Sequence, residues 1–216
     1  MAQAEANTSG MSRREFLYYI WAASIALYTA QLGGLIAWFA LPRFKEGTFG
    51  GKIPISVDQL PAVNDLPLNN SDGRFWLVNL DTDQANERMY FADGDPGTSI
   101  KGVAAIYKVC THLGCIYAWV DSANRFECPC HGSKYRLDGR RIASPAPRTL
   151  DRFSIEAVDG EGNVLASSAD VELAGTSTVG TLELPAGTAQ LLVNTGNRKN
   201  GATQTLICEL LETCGA

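Results

Sequence analysis

The chain has only two histidines against six cysteines, and both histidines stand beside cysteines. The first cluster is Cys110-Thr-His112-Leu-Gly-Cys115. The second is Cys128-Pro-Cys130-His131-Gly-Ser133-Lys-Tyr135. Two tight loops at neighbouring strand ends can face one another and enclose a metal. Four ligands of mixed Cys/His type admit two readings on spacing alone. One is a tetrahedral Cys2His2 zinc site. The other is a [2Fe–2S] cluster, with two thiolates on one iron and two imidazoles on the other. Metal-type spacing occurs twice, which argues against buried structural cysteines with incidental histidines.

Such loops need strands to carry them. From residue 53 the chain reads as short segments rich in Val, Ile, Phe, Tyr and Trp: 53–57, 75–80, 103–109, 116–120, 125–127, 153–158 and 163–166. Turn signals separate them at Asp72-Gly73, Asp93-Gly94-Asp95-Pro96-Gly97, Asp138-Gly139 and Asp159-Gly160. No long helical stripe interrupts 53–167, so the head is expected to be mainly β, an antiparallel sandwich or small barrel. Residues 168–202 hold short apolar runs at 181–184 and 190–193 that extend the sheet or wrap it. Residues 203–214 suit a short terminal helix. In a helix, Cys208 and Cys214 would lie about 9 Å apart along the axis on different faces. A disulfide wants Cα atoms within about 4.4–6.8 Å. A bridge between them therefore requires the terminus to bend, and both outcomes stay open.

Ahead of the head, Tyr18 to Leu41 carries no charged residue. At 1.5 Å per residue this run makes a helix of about 36 Å, enough for a hydrocarbon core of about 30 Å. Trp21 and Trp38 lie near its ends, where aromatic belts occur. The run exceeds a signal-peptide core, and no clear A-x-A site follows it, so a retained single-pass anchor is expected. Ser12-Arg13-Arg14-Glu15-Phe16-Leu17 resembles a twin-arginine export signal. Arg13 and Arg14 precede the span while Arg43, Lys45 and Lys52 follow it, so charge counting leaves orientation undecided. Gly47, Gly50 and Gly51 suit a flexible tether. The expected organisation is a tail over 1–17, a span over 18–41, a tether over 42–52, a metal-binding head over 53–167 with its loops at about 108–148, and a C-terminal extension over 168–216. Hydrophobic and charged fractions of 45% and 19% exclude a disordered chain. A net charge of −5 without a Lys/Arg run argues against a nucleic-acid partner.

The double motif C-T-H-L-G-C and C-P-C-H-G-S-x-Y resembles that of the Rieske iron–sulfur proteins, specifically the membrane-anchored kind in cytochrome bc and b6f complexes. The resemblance covers the anchor, the tether and residues of about 75–158. It implies one Rieske-type [2Fe–2S] cluster per chain. Cys110 and Cys128 then resemble the thiolate ligands of one iron, and His112 and His131 the imidazole ligands of the other. Cys115 and Cys130 resemble the pair whose disulfide links the two loops. Exchanging two thiolates for imidazoles removes negative charge and raises the reduction potential, into a range of about −150 to +300 mV. Ser133 and Tyr135 resemble hydroxyl donors to a bridging sulfide and to a ligand sulfur, which stabilise the reduced state. Leu113 resembles the apolar cap that touches a partner subunit. Ser144-Pro145-Ala146-Pro147 resembles the family's proline loop, usually Gly-Pro-Ala-Pro, with Ser144 as a departure.

The resemblance implies an electron-transfer subunit of a quinol-oxidising complex. Its partners would be a cytochrome b-type subunit, quinol, and a c-type cytochrome or similar acceptor. Reduction of a cluster makes the free N–H of a ligating imidazole harder to ionise, so electron and proton uptake are coupled. His131 is expected to hydrogen-bond quinol, with His112 as the other redox-linked ligand. A disulfide needs an oxidising compartment, while the cluster needs assembly before export. Export of a folded head satisfies both and places it on the outer, positive side of an energy-transducing membrane. The alternatives are the small subunit of an arsenite-oxidase-like molybdoenzyme, a soluble oxygenase ferredoxin and a non-redox zinc module. The anchor, Ser133 and Tyr135 count against the first; the anchor and the Cys115/Cys130 pair count against the second.

Overall fold

The computed structural model describes residues 10–41, 50–90 and 100–214. Most of the expected tether, including Gly47, and the Asp93–Gly97 turn lie outside the described residues. The chain divides into two units, 1–45 and 46–216.

The first unit is helix α1, Arg13–Ala40. Ser12 caps it. Its hydroxyl accepts from the Glu15 amide at 3.3 Å, while the Glu15 carboxylate accepts from the Ser12 amide at 2.9 Å. This reciprocal box satisfies two of the amides that a helix start leaves orphaned. Arg13 and Arg14 therefore form the first turn of the same helix that carries the apolar run. No α1 side chain is buried within the protein, and among the described residues α1 is the one helix long and apolar enough to cross a membrane.

The second unit is built from antiparallel strands. They are β1 (Lys52–Ser56), β2 (Leu68–Asn70), β3 (Phe75–Asp81), β4 (Lys101–Tyr107), β5 (Ala118–Val120), β6 (Arg125–Glu127) and β7 (Lys134–Tyr135). There follow β8 (Arg141–Ala143), β9 (Arg152–Val158), β10 (Val164–Ser167), β11 (Asp170–Leu173), β12 (Thr176–Val179) and β13 (Gln190–Lys199), then a short helix α2 (Ile207–Leu210). The large sheet runs β1-β13-β9-β4-β3-β2, with β10 also on β9; β5-β6-β7-β8 form a second sheet and β11-β12 a hairpin. β13 sits between β1 and β9, so the sheet continues well past residue 167 and residues 190–199 are one of its inner strands.

β3 and β4 lie between two cores, and their alternation serves both. Phe75, Leu77, Val103 and Ala105 face one apolar cluster with Ile55, Phe153, Ile155, Leu191 and Val193. Trp76, Val78, Leu80, Ala104 and Ile106 face the other, with Cys110, Phe126, Cys128, Tyr135 and Leu150. A strand buried on both faces reads as a continuous apolar run, which is how 75–80 and 103–109 read. The second core holds the chemistry-bearing loops against the large sheet.

The terminal helix is shorter than expected. It ends at Leu210; Glu212 adopts a left-handed φ of 54°, and the Thr213 amide donates to Cys208 O at 2.8 Å. This bend brings Cys208 and Cys214 to a Cα separation of 4.8 Å and joins them by a disulfide. A continuous helix over 203–214 would have kept them apart.

Candidate metal centre

The two motif loops are the same loop twice. The Cys110 amide donates to Cys115 O at 2.8 Å and the Gly114 amide to Cys110 O at 3.0 Å. In the other, the Cys128 amide donates to Ser133 O at 2.8 Å and the Gly132 amide to Cys128 O at 3.0 Å. Gly114 and Gly132 occupy equivalent places, with φ of +83° and +72°. A side chain there would strain the backbone, so the glycine in each motif is a requirement of the turn. One loop follows β4 and is closed by a bridge between Val109 and Ile116; the other joins β6 to β7.

This repeat places a buried cysteine at the base of each loop. Cys110 and Cys128 are both buried and unbridged, and their thiols are within hydrogen-bonding reach of one another. Burial pushes the Cys128 thiol up, and the neighbouring Cys110 adds to that. Two such groups become paired thiolates when a cation is at hand to hold them so. The rings of His112 and His131 meet edge to face, with centroids 4.7 Å apart. His112 is half-buried and His131 exposed. The Cys115–Cys130 disulfide ties the loops across the top, with Cα atoms 6.6 Å apart. The sulfurs of Cys115, Cys128 and Cys130 lie within 4.8 Å of one another. Cys115 and Cys130 are joined in the bridge, which leaves the Cys128 thiol free in that group.

Of the buried side-chain polar atoms that have no hydrogen-bond partner among the described residues, two stand on the motif loops: Nδ1 of His112 and Oγ of Ser133. An unpaired buried polar atom costs about 1–3 kcal/mol. Each therefore calls for a group within the pocket. The donor set is two soft thiols, two imidazoles and a hydroxyl, and it fits a [2Fe–2S] cluster at both ends. Tyr135 adds a second hydroxyl, 3.1 Å from Cys110 Sγ. Burial pushes its phenol up to about 12, helped by the Cys110 contact and partly offset by the nearby hydroxyls of Thr111 and Ser144. The phenol thus keeps its proton and can donate it to sulfur. Tyr117 is fully buried below, 5.3 Å from the Phe126 ring and 5.9 Å from that of Tyr135, and donates to Tyr107 O at 2.8 Å.

The third wall is the loop 144–147. Pro145 and Pro147 are exposed, while Ala146 between them is buried with Cys110 and Cys128. The inward contact therefore comes from Ala146, and the prolines stiffen it from outside. Ser144 has no left-handed φ, so a glycine is not needed there. Its hydroxyl accepts from the Ala146 amide at 3.0 Å and so holds the turn. On the first loop, which also carries His112, Leu113 stands 70% exposed and Ile116 61% exposed, two apolar side chains open to solvent.

Some contributors have no signal in the motif reading. Thr111 Oγ1 donates to Arg148 O at 2.7 Å and ties the first loop to the third wall. Arg141 Nη1 donates to Ala146 O at 2.8 Å from β8. Thr111 lies inside the motif and was within reach of sequence reasoning; Arg141 acts through a partner that no local pattern reveals.

Residues 87–154 match the Rieske [2Fe-2S] domain. The cytochrome b6-f complex iron-sulfur subunit of Prochlorococcus marinus (strain MIT 9303) is 31% identical over 159 residues, covering 73% of this chain and 85% of that protein. The subunit of the same description from Synechococcus sp. (strain JA-3-3Ab) is 33% identical over 165 residues, covering 70% and 84%. Among solved structures, a chain of a hyperthermophilic respiratory Complex III aligns with 62% of this chain and 88% of its own length, at 27% identity and a TM-score of 0.34.

Proposed function

The chain belongs to the Rieske iron–sulfur protein family, in the branch of the cytochrome bc and b6-f complex subunits, and on that premise we propose that it oxidises quinol within such a complex. It is an electron-transfer protein that carries a Rieske-type [2Fe–2S] cluster. The observation that carries the finer reading is the pair of like-folded loops, which bring two buried thiols together and set two imidazole rings edge to face.

Cys110 and Cys128 would hold one iron, and His112 and His131 the other. When bound, the cluster supplies one-electron redox chemistry in a range of about −150 to +300 mV. The surrounding residues give that chemistry its direction. Nδ1 of His112 is buried and unpaired, so this nitrogen would be the one to hold the iron. His131 is exposed and would present its other ring nitrogen for a hydrogen bond with a quinol hydroxyl. The exposed Leu113 and Ile116 would seat against an apolar partner surface and exclude water from that contact. Tyr135 stands 3.1 Å from Cys110 Sγ, and the buried, unpartnered Ser133 hydroxyl would donate to a cluster sulfide; both bonds would favour the reduced form. Partners of this kind are a b-type cytochrome subunit at the quinol site and a c-type cytochrome or equivalent as acceptor. A retained α1 anchor with a twin-arginine first turn would place the head on the outer side of the membrane.

The test is purification of the full chain from its native membrane. The expected result is a coloured, iron-containing protein that co-purifies with b-type haem and passes electrons from quinol to a c-type cytochrome. A coloured protein with no quinol-dependent reduction would overturn the assignment of donor, and one without a b-type subunit the assignment of complex.

A further inference from the structure

Arg141 stands on β8 with its guanidinium between two backbone carbonyls that are distant in sequence. Nη1 donates to Ala146 O, and Nη2 donates to Gln204 O. Ala146 is the buried member of the third wall, within the same apolar cluster as Cys110 and Cys128. Gln204 leads into the C-terminal hook, in which α2 packs against β8 with Ile207 and Cys208 buried, and the Cys208–Cys214 bridge closes the turn. The strand of chain entering the hook is tied at three further points. The Gly201 amide donates to Asp151 Oδ1 at 2.9 Å, the Thr149 amide to Ala202 O at 2.9 Å, and Arg140 Nη2 to Thr205 O at 3.4 Å.

We infer that Arg141 is a positioning residue for the cluster, coupling the wall 144–147 to the disulfide-closed C-terminal hook so that the hook holds Ala146 against the cluster pocket. The inference rests on the reading of Cys110, His112, Cys128 and His131 as cluster ligands. An alanine methyl buries little apolar area, so its burial alone anchors the wall weakly. A polar tie to a fixed element makes good that deficit. A guanidinium suits the task because its planar fork reaches two acceptors at once, and each fixes its direction for the other. The hook needs its own fixing in turn. A four-residue helix is far below the length that is stable alone. The bridge from Cys208 to Cys214 supplies that fixing, which gives the terminal cysteine pair a role at the centre without ligating anything.

The test uses the cluster-loaded full chain and the variants Arg141→Gln, Arg141→Lys and Cys214→Ala. Hydrogen exchange at the Ala146 amide reads the wall directly, and bleaching of the visible spectrum by an iron chelator reads the shielding of the cluster. Arg141→Gln and Cys214→Ala are each expected to speed both by about tenfold. The double variant should go little beyond either, because both act on one path. Arg141→Lys should recover part of the loss. Parental exchange at Ala146 in Cys214→Ala would remove the hook from the linkage. Faster exchange with unchanged bleaching would show that the wall does not shield the cluster. Should Arg141→Gln fail to fold, Arg141→Lys and Cys214→Ala carry the same comparison. Iron and sulfide content of the parent protein checks the underlying ligand reading separately.

Discussion

His112 and His131 meet ring edge to ring face at a centroid distance of 4.7 Å and an interplanar angle of 89°. They come from two loops of the same hydrogen-bond pattern but not from equivalent positions, since His112 stands two residues after Cys110 and His131 three after Cys128. The offset lets one ring tuck half-buried while the other stays exposed. Replacing His131 by Asn is expected to abolish cluster assembly and leave the head folded, since an exposed side chain contributes little to the core. Iron analysis and visible absorption check the first part, and far-ultraviolet circular dichroism the second. A variant with a full, spectrally normal cluster would contradict the ligand assignment.

Tyr135 lies 3.1 Å from Cys110 Sγ with a phenol that keeps its proton. Tyr135→Phe removes the hydroxyl while leaving the ring packed against Tyr117. A net hydrogen bond of about 1 kcal/mol corresponds to roughly 40 mV in a one-electron couple. The midpoint potential should therefore fall by an amount of that order, with cluster content unchanged. A redox titration that finds the parent potential would refute the role.

Cys115 and Cys130 bind the twin loops together across a sequence separation of 15. In the chain-entropy account a loop of that length is worth about 3 kcal/mol. Cys115→Ser should lower the thermal midpoint of the head by roughly 2–4 °C per kcal/mol lost, and make the cluster easier to remove. Scanning calorimetry with chelator-driven bleaching measures both.

A buried ion pair gives the head an acid limit. Arg136 Nε and Nη2 donate to Asp138 Oδ1 and Oδ2 at 3.1 and 2.8 Å, and the Arg140 amide also donates to Oδ1 at 3.1 Å. Burial alone would push the Asp138 carboxyl up. The Arg136 charge and these hydrogen bonds outweigh it and hold the carboxyl below its ordinary value. Its contribution is thus fully present above the unfolded carboxylate range, near pH 4, and is lost as pH falls through the lower folded value. Asp138→Asn should destabilise the head by about 3–5 kcal/mol at neutral pH, because it leaves Arg136 buried without its counter-charge. Denaturant titrations at several pH values should find this difference narrowing below about pH 4. A gap that stays constant down to pH 2 would exclude Asp138 as the source.

How much was legible depended on the range of each interaction. The span, the strands at 75–80, 125–127 and 153–158, and both motif loops are local patterns, and each is set by period, turn chemistry or spacing. The short strands β2, β7 and β8 are not legible in the sequence, because their mixed polar and apolar residues become strands only through pairing with β3, β6 and each other. Of β13 only the apolar run at 190–193 shows in the sequence, since its latter half, from Asn194 to Lys199, is polar and pairs as a strand only because β9 lies alongside. The bend that joins Cys208 to Cys214 was open for a similar reason: helix length at a terminus is decided by what the helix packs on.

The sequence by itself determined the two motif loops, because each closes on its own hydrogen bonds over six residues and needs only its Cys and Gly at set offsets. Only the tertiary structure decided how the two loops face each other, that Ala146 forms the inward surface of the third wall, and that Arg141 joins that wall to Gln204. Those contacts link backbone groups far apart in the chain, and a carbonyl acceptor is offered by every residue alike. Which one is used is settled by the packing of sheets around two cores, and no local residue pattern specifies it.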